Sequence, residues 1–451
     1  MIVEPERLSV LKPGPPGRGD FVLYWMQHAQ RARENPALEY AASEAARLRL
    51  PLAVLFVLAP YPSATAVHYR FLLGGLAETA RALEARGARF ILRRGESPKV
   101  AAELSRRAAL AVCDAGWTRP ELAWRREFAE RSACPVIRVD GDAVVPVEAA
   151  SDKLEWSAFT LRRKIEGAVP AYAARIPPVV ELRRDARGLD LDGGAELLRT
   201  EGGPLRPEYP GDRVPEQTAL PPPGEEAART RFDTFLNTGL DRYDADRNDP
   251  TLDGTSGMSP YLHFGQVSPV LLARKVLERG GAGAASFIEQ LTVRRELSLN
   301  LVRFLPDAYD RWEGLPDWAR RTLRDAAGDK RDYLYSRSDF EAARTHDPYW
   351  NAAQNQLVRS GSIHNYMRMY WGKKILEWSA DPREAYGTAL YLNDRYALDG
   401  RDPNGYAGVA WCFGRHDRPW AGRAVFGTVR YMNAAGLRRK FDADVYAKAW
   451  A

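Results

Sequence analysis

Apolar residues in the first third of the chain gather into short runs: FVLYWM from Phe21, PLAVLFVL from Pro51, RFILRR from Arg89, LAVCDA from Leu110 and PVIRVD from Pro135. Each run is short and rich in β-branched or aromatic residues, as buried strands are. The Ala/Leu/Arg/Glu-rich segments between them repeat their apolar positions with a helical period. Strict alternation over residues 20–150 predicts an α/β domain with a Rossmann-like, parallel five-stranded sheet covered on both faces. Ligands of such sheets bind beyond the carboxyl ends of strands, here after Met26, Leu58 and Ala115. No GxGxxG follows these strands and no GxxxxGK[ST] occurs anywhere, which excludes a standard dinucleotide or nucleoside triphosphate site.

The pattern then changes twice. Residues 151–176 read as a basic helical segment, but from 181 to 225 periodicity fails and seven prolines fall between Pro204 and Pro223. Residues 151–224 are therefore expected to form a basic helix and a long Pro/Gly-rich interdomain linker. From Glu225 the period is helical almost throughout, predicting an all-α domain over 225–451. Eight of the twelve tryptophans lie between 312 and 450.

Composition narrows the classes. With 45% hydrophobic and 27% charged residues the chain reads as soluble and globular, and a net charge of +6 favours an anionic partner. Cys113, Cys134 and Cys412 are too few and too dispersed for a disulfide framework, and six histidines without HExxH argue against a metal centre. The N-terminus lacks a signal-peptide core and no apolar run is long enough to span a membrane, so a cytoplasmic protein is expected.

Four stretches carry candidate chemistry. In TSGMSPYLHFGQVSP, from Thr255, both Ser259-Pro260 and Ser268-Pro269 resemble helix starts, whose free N–H groups suit a phosphate; two ordinary capped helices are the alternative. In FIEQLTVRRELSLNL, from Phe287, α-helical spacing puts Glu289, Val293 and Glu296 near one face and turns Arg294 and Arg295 elsewhere, either toward a ligand or as a surface ion-pair face. From Arg344 to Ser379, Trp371 and Trp378 share a helical face about 10 Å apart along the axis, with Trp350 on the preceding helix. Such a row can pass an electron by hopping or can simply be core. Within the same stretch Asn365 and Arg368 need polar partners if buried, and Asp399 is a candidate for Arg368. Finally, Asp399 to Met432 combines acids, glycines, arginines and tryptophans around a turn signal at Asp402-Pro403-Asn404-Gly405, and reads as a loop-built site.

Together these segments resemble the DNA photolyase and cryptochrome family. DGRDPNGYAG, HDRPW and FGTVRYM, in that order, resemble specifically its class II cyclobutane pyrimidine dimer photolyases. The resemblance covers an N-terminal antenna-type domain, the connection and a helical flavin domain. It implies a light-driven DNA repair enzyme with non-covalent FAD, active in its reduced form, and an optional antenna deazaflavin or folate in the N-terminal domain. It places Thr255, Ser256, Gly257, Met258 and Ser259 at the pyrophosphate with Tyr243 nearby, and Asn365, Arg368, Asp399, Asp402 and Asn404 on the cofactor. Asn393 would lie near flavin N5. Glu296, Met369 and Trp411 would meet the lesion, Arg295, Arg418 and Arg423 the DNA, and Trp350, Trp371 and Trp378 would form the photoreduction chain. The implied partner is double-stranded DNA carrying a pyrimidine dimer, bound with the lesion flipped out by a monomer. The sequence departs from the family where Trp420-Ala421-Gly422-Arg423 replaces a WxER pattern, leaving Arg423 without its usual neighbouring carboxylate. Other readings are a cryptochrome-like photoreceptor without repair activity and a metal-dependent nuclease using Asp399 and Asp402.

Overall fold

The computed structural model describes residues 2–192, 198, 217 and 219–451. The GGAE and most of the proline-rich part of the expected linker lie outside these residues.

The five expected strands are present as β2 (Phe21–Met26), β3 (Leu52–Leu58), β4 (Arg89–Arg94), β5 (Ala108–Asp114) and β6 (Val136–Val139), all mutually parallel. A sixth strand the hydrophobic pattern did not predict, β1 (Leu8–Lys12), adds antiparallel to β6, so the order is β1-β6-β5-β2-β3-β4. Every residue of β2, β3 and β5 is buried, as a sheet covered on both faces requires. Helices Pro36–Leu48 and Ala66–Ala85 pack on one face and Ser97–Ser105 and Arg119–Arg131 on the other.

The chain reverses direction across the sheet between β2 and β5, and the loop leaving β2 is fixed there by one carboxylate. Asp114 Oδ2 accepts the backbone N–H groups of Gln27, His28 and Ala29 at 3.0, 2.9 and 2.8 Å, while Arg125 Nη2 donates to Oδ1 at 2.9 Å. This loop and the end of β3 form one wall of a cavity whose other wall, with His263, Phe264 and Arg401–Pro403, belongs to the helical domain.

Three helix starts in the second domain are written by Asp-Pro pairs. Asp347, Asp381 and Asp402 each precede a proline and accept N–H groups of the first turn of helices Pro348–Ser360, Pro382–Tyr396 and Pro403–Cys412. The cap satisfies donors the helix cannot, and proline pre-sets the first helical φ. The stretch expected to be a loop from Asp399 thus contains a ten-residue helix, because its turn signal is an N-cap followed by N1. Polar contacts join the domains: His68 Nε2 lies 2.9 Å from the Ala397 carbonyl, and Arg31 Nη1 donates to the Gly265 carbonyl at 3.1 Å.

Candidate functional site

Four segments distant in sequence converge on Arg368, one turn into helix Asn365–Glu377. Its Nη1 donates to Asn393 Oδ1 at 3.2 Å and its Nη2 to the two carboxylate oxygens of Asp399 at 3.2 and 3.4 Å. Burial alone would raise the Asp399 carboxyl, but the charge and hydrogen bonds of Arg368 hold it below its ordinary value. Asn393 is itself buried, on helix Pro382–Tyr396, and donates from Nδ2 to Asp394 Oδ1 at 3.2 Å. A Cβ on Gly405 would lie 3.0 Å from Asn393 Nδ2, so glycine is what lets helix Pro403–Cys412 come this close.

Beside this cluster runs Thr255–Ser259. Gly257 adopts φ +69°, and Arg231 clamps the loop by donating from Nε to the Ser256 carbonyl at 3.1 Å and from Nη2 to the Thr255 carbonyl at 3.2 Å. Thr255 and Ser256 are half-buried, Gly257 and Ser259 exposed, and Met258 buried. Ser268 caps its helix as expected, accepting from the Leu271 N–H at 3.3 Å. Ser259 does not: Met258 takes the cap position. Tyr243 is buried against Phe235 and Phe287, with the Arg247 guanidinium 6.0 Å from its ring centre. Asp402 accepts from the Asn404 N–H at 2.8 Å and meets His263 Nδ1 at 3.1 Å; Asn365 and Asn404 are exposed.

The tryptophans leave this centre as a row. Trp371 and Trp378 do not touch directly; Trp350 bridges them, 6.4 Å from Trp371 and parallel to it within 4°, and 6.3 Å from Trp378. Trp378 is only 4% exposed, so the three indoles do not by themselves reach water. The row continues through residues that sequence reasoning missed. Tyr335 and His346 lie 5.9 and 4.8 Å from Trp378, and Tyr333, 46% exposed, stacks 3.5 Å from His346. The Tyr335 hydroxyl is 2.8 Å from His346 Nδ1. No local pattern marks these residues, since the contacts join separate segments.

At the other edge Trp411 is half-buried, with Lys373 Nζ 5.1 Å from its ring centre and the Arg430 guanidinium 5.7 Å away. Lys373 is fully buried and donates to the Cys412 carbonyl at 2.6 Å; burial brings its ammonium down to about 8. Arg430 and Arg418 stand over Trp420 at 4.0 and 5.6 Å, and Met369, half-buried, is on the Arg368 helix. Arg423, with no carboxylate at Gly422, packs its guanidinium 3.5 Å from the centre of the Tyr431 ring.

Two expected site residues are buried with partners in the α/β domain. Arg295, expected on DNA, is buried and ion-paired with Asp142, donating also to the Asp142 carbonyl at 2.6 Å. Glu296, expected at the lesion, accepts the Val144 N–H at 2.7 Å in the domain interface, where burial pushes its carboxyl up to about 8. The cause is a π-helical turn over Glu289–Arg294. Its wider turn shifts every later residue around the axis, so a face drawn at α-helical spacing from Glu289 does not reach Glu296. Glu289 itself stays half-buried, paired with Arg162 at 2.6 Å and Arg294 at 3.0 Å. Among the described residues no group of three or more His, Cys, Asp or Glu side chains is placed to hold a metal ion, and no helix is long and apolar enough to cross a membrane.

An α/β domain docked on a helical domain, with a buried Arg–Asp–Asn cluster and a tryptophan row, defines the class, and comparison with known proteins agrees. The DNA photolyase family profile matches residues 22–179. A deoxyribodipyrimidine photo-lyase of Methanothermobacter thermautotrophicus is 46% identical over 450 residues, covering 99% of this chain and 98% of that protein. The enzyme of the same name from Oryza sativa is 41% identical, covering 98% of this chain and 89% of that protein. Among solved structures, a class III photolyase of Agrobacterium tumefaciens superposes with a TM-score of 0.73 at 20% identity, covering 96% of this chain and 87% of that one. A Synechocystis cryptochrome gives 0.70 at 15% identity, covering 95% and 88%; an archaeal photolyase of Sulfolobus tokodaii, solved with two FAD molecules, gives 0.66 at 15%, covering 96% and 90%. The chain belongs to the DNA photolyase family.

Proposed function

We propose that this protein splits cyclobutane pyrimidine dimers in DNA by light-driven electron transfer, as a class II photolyase, and that the Arg368–Asp399–Asn393 cluster is its flavin-facing wall. The donor set suits that cofactor: a half-buried cation, a buried amide and the hydroxyl-bearing, left-handed turn at Gly257 fit a hydrogen-bonding anionic ring joined to a pyrophosphate. Bound FAD, kept reduced, supplies the light-absorbing electron donor.

The protein's own part is electrostatic and positional. Arg368, oriented by Asp399 and Asn393, keeps positive charge beside the ring without a mobile counter-ion. Ser256, Gly257 and Ser259 face the phosphates, with Tyr243, Thr255, Met258, Asn365, Asp402 and Asn404 completing the cofactor contacts. Trp411 and Met369 offer apolar surface to the lesion, while Arg418 and Arg423 sit at the outer rim to meet phosphates. Trp371, Trp350 and Trp378, continued by Tyr335 and Tyr333, carry reducing electrons inward from the surface. The cleft lined by Gln27, Tyr61, Trp124 and His263 is the candidate place for an antenna chromophore.

The observation that carries the reading is Arg368 bridging Asn393 and Asp399 at one end of a continuous indole row. Reduced, flavin-loaded protein mixed with a thymine-dimer oligonucleotide is expected to restore intact thymines under blue light and not in darkness. Unchanged dimer after illumination overturns the reading in favour of a photoreceptor.

A further inference from the structure

Outside the flavin and lesion site, the segment 151–165 carries an aromatic surface that the fold leaves uncovered. Trp156 is 54% and Phe159 60% exposed, the two largest exposed rings of the basic segment. Arg163, one helical turn beyond Phe159, lays its guanidinium 5.6 Å from the centre of that ring and, among the described residues, has no carboxylate within ion-pair distance. Its neighbours Arg162 and Lys164 are neutralised by Glu289 and Glu155, so Arg163 is the free cation of this turn among them. Two large rings left exposed on one short segment form an apolar surface, and Arg163 sets a solvated positive charge beside it.

The surface is joined to the rim. His416, in the loop between Trp411 and Arg418, donates from its Nδ1 ring nitrogen to the Trp156 carbonyl at 3.0 Å. On one side of that hydrogen bond lie Trp420, Arg418 and Arg430; on the other lie Trp156, Phe159 and Arg163. Both halves have the same chemistry, an aromatic face beside a guanidinium. That chemistry suits nucleic acid, in which stacked bases and phosphates alternate at short range.

We propose that Trp156, Phe159 and Arg163 form a second DNA-contact surface, engaging the strand that flanks the lesion on one side of the rim. The proposal rests on the repair reading. The rings cover bases or sugars of the flank and Arg163 meets a phosphate, so the contact adds affinity and polarity without touching the reacting centre. A second copy of the chain is the competing occupant, and the experiment separates the two.

The test uses flavin-loaded full-length protein, the Trp156→Ala/Phe159→Ala double variant and Arg163→Ala. Each is titrated with three thymine-dimer duplexes: one with minimal flanks, one extended only 5′ and one extended only 3′ of the lesion. The double variant is expected to lose about tenfold in affinity for one of the extended duplexes. Binding of the other two, flavin absorbance and blue-light turnover at saturating DNA are expected to stay unchanged, and Arg163→Ala to lower the salt dependence for the same duplex alone. Equal affinities on all three duplexes, an equal loss on all three, or a change of oligomeric state in sedimentation without a polarity effect overturns the proposal. Failure of the repair reading is distinguishable, since it appears in the parent protein, as no preference for lesion over intact DNA and no photorepair.

Discussion

Trp350 and Trp371 lie parallel within 4°, their ring centres 6.4 Å apart, and the Trp350 Nε1–H donates to the Trp371 backbone carbonyl at 3.0 Å. Trp371 Nε1 in turn donates to Gln354 Oε1 at 2.9 Å, so both indoles are fixed by backbone or by a buried amide. Among the described residues Trp371 and Trp378 meet through Trp350, so a relay along this row would need the middle ring. Trp350→Phe is expected to slow photoreduction of oxidised flavin by at least about tenfold while leaving repair by chemically reduced protein nearly intact. Transient absorption and a repair assay on the same samples check this, and equal loss in both contradicts an electron-relay role.

Asp399→Asn leaves Arg368 half-buried with its charge unmatched. Removing one partner of a buried pair costs about 3–5 kcal/mol where the other cannot reach water; here both side chains are slightly exposed, 13% and 11%, and the lower end applies. The expected result is a lower melting temperature together with loss of flavin on gel filtration. Retention of full flavin at an unchanged melting temperature contradicts the placement of the cofactor.

Glu296 gives a pH dependence. Its carboxyl, about 8 in the folded chain because of burial, is about 4.3 when unfolded. A raised folded value means that the native state binds the proton more tightly. Its stabilising contribution is complete below about pH 4 and is lost as pH rises to about 8, with a slope of at most about 1.4 kcal/mol per pH unit. Glu296→Gln, which can still accept the Val144 N–H, is expected to flatten that slope in urea titrations between pH 5 and pH 8, taken as about the limits of this window. An unchanged slope contradicts a protonated Glu296 at the interface.

Asp402→Ala removes both the cap of helix Pro403–Cys412 and the partner of His263. A cap alone is worth about 1 kcal/mol. Thermal unfolding is expected to show about that loss, and Asp402→Asn, which can still cap, to recover most of it.

The parts of the fold legible in sequence are those governed by local rules. FVLYWM is β2 residue for residue, since a run apolar at every position has no choice but a strand buried on both faces. Strand β1 escapes because an edge strand half open to water carries too few apolar residues to show. Arg368 with Asp399 is readable because a buried cation among apolar neighbours must find an acid. Asp402 reads as a turn because Asp-Pro begins turns and helices alike, and only the packing of residues 404–412 decides between them. Tyr335, His346 and Tyr333 are invisible, since their contacts with Trp378 cross between segments without any periodic signature. The partners of Glu296 are illegible for a different reason: the helix period is not constant.

The interruption at Glu289–Arg294 governs how the enzyme tolerates change in length. One helix must satisfy two independent partners, the domain interface through Arg295 and Glu296 and the basic segment through the Glu289–Arg162 pair, and the wide turn between them sets their relative phase. Deleting a single residue there would restore a regular α-helix and rotate one set against the other by about 100°. Either the interface would lose its Arg295–Asp142 lock or Arg162 would lose its acid. The π-turn therefore works as an angular spacer, and side-chain substitutions within it should be tolerated far better than any insertion or deletion.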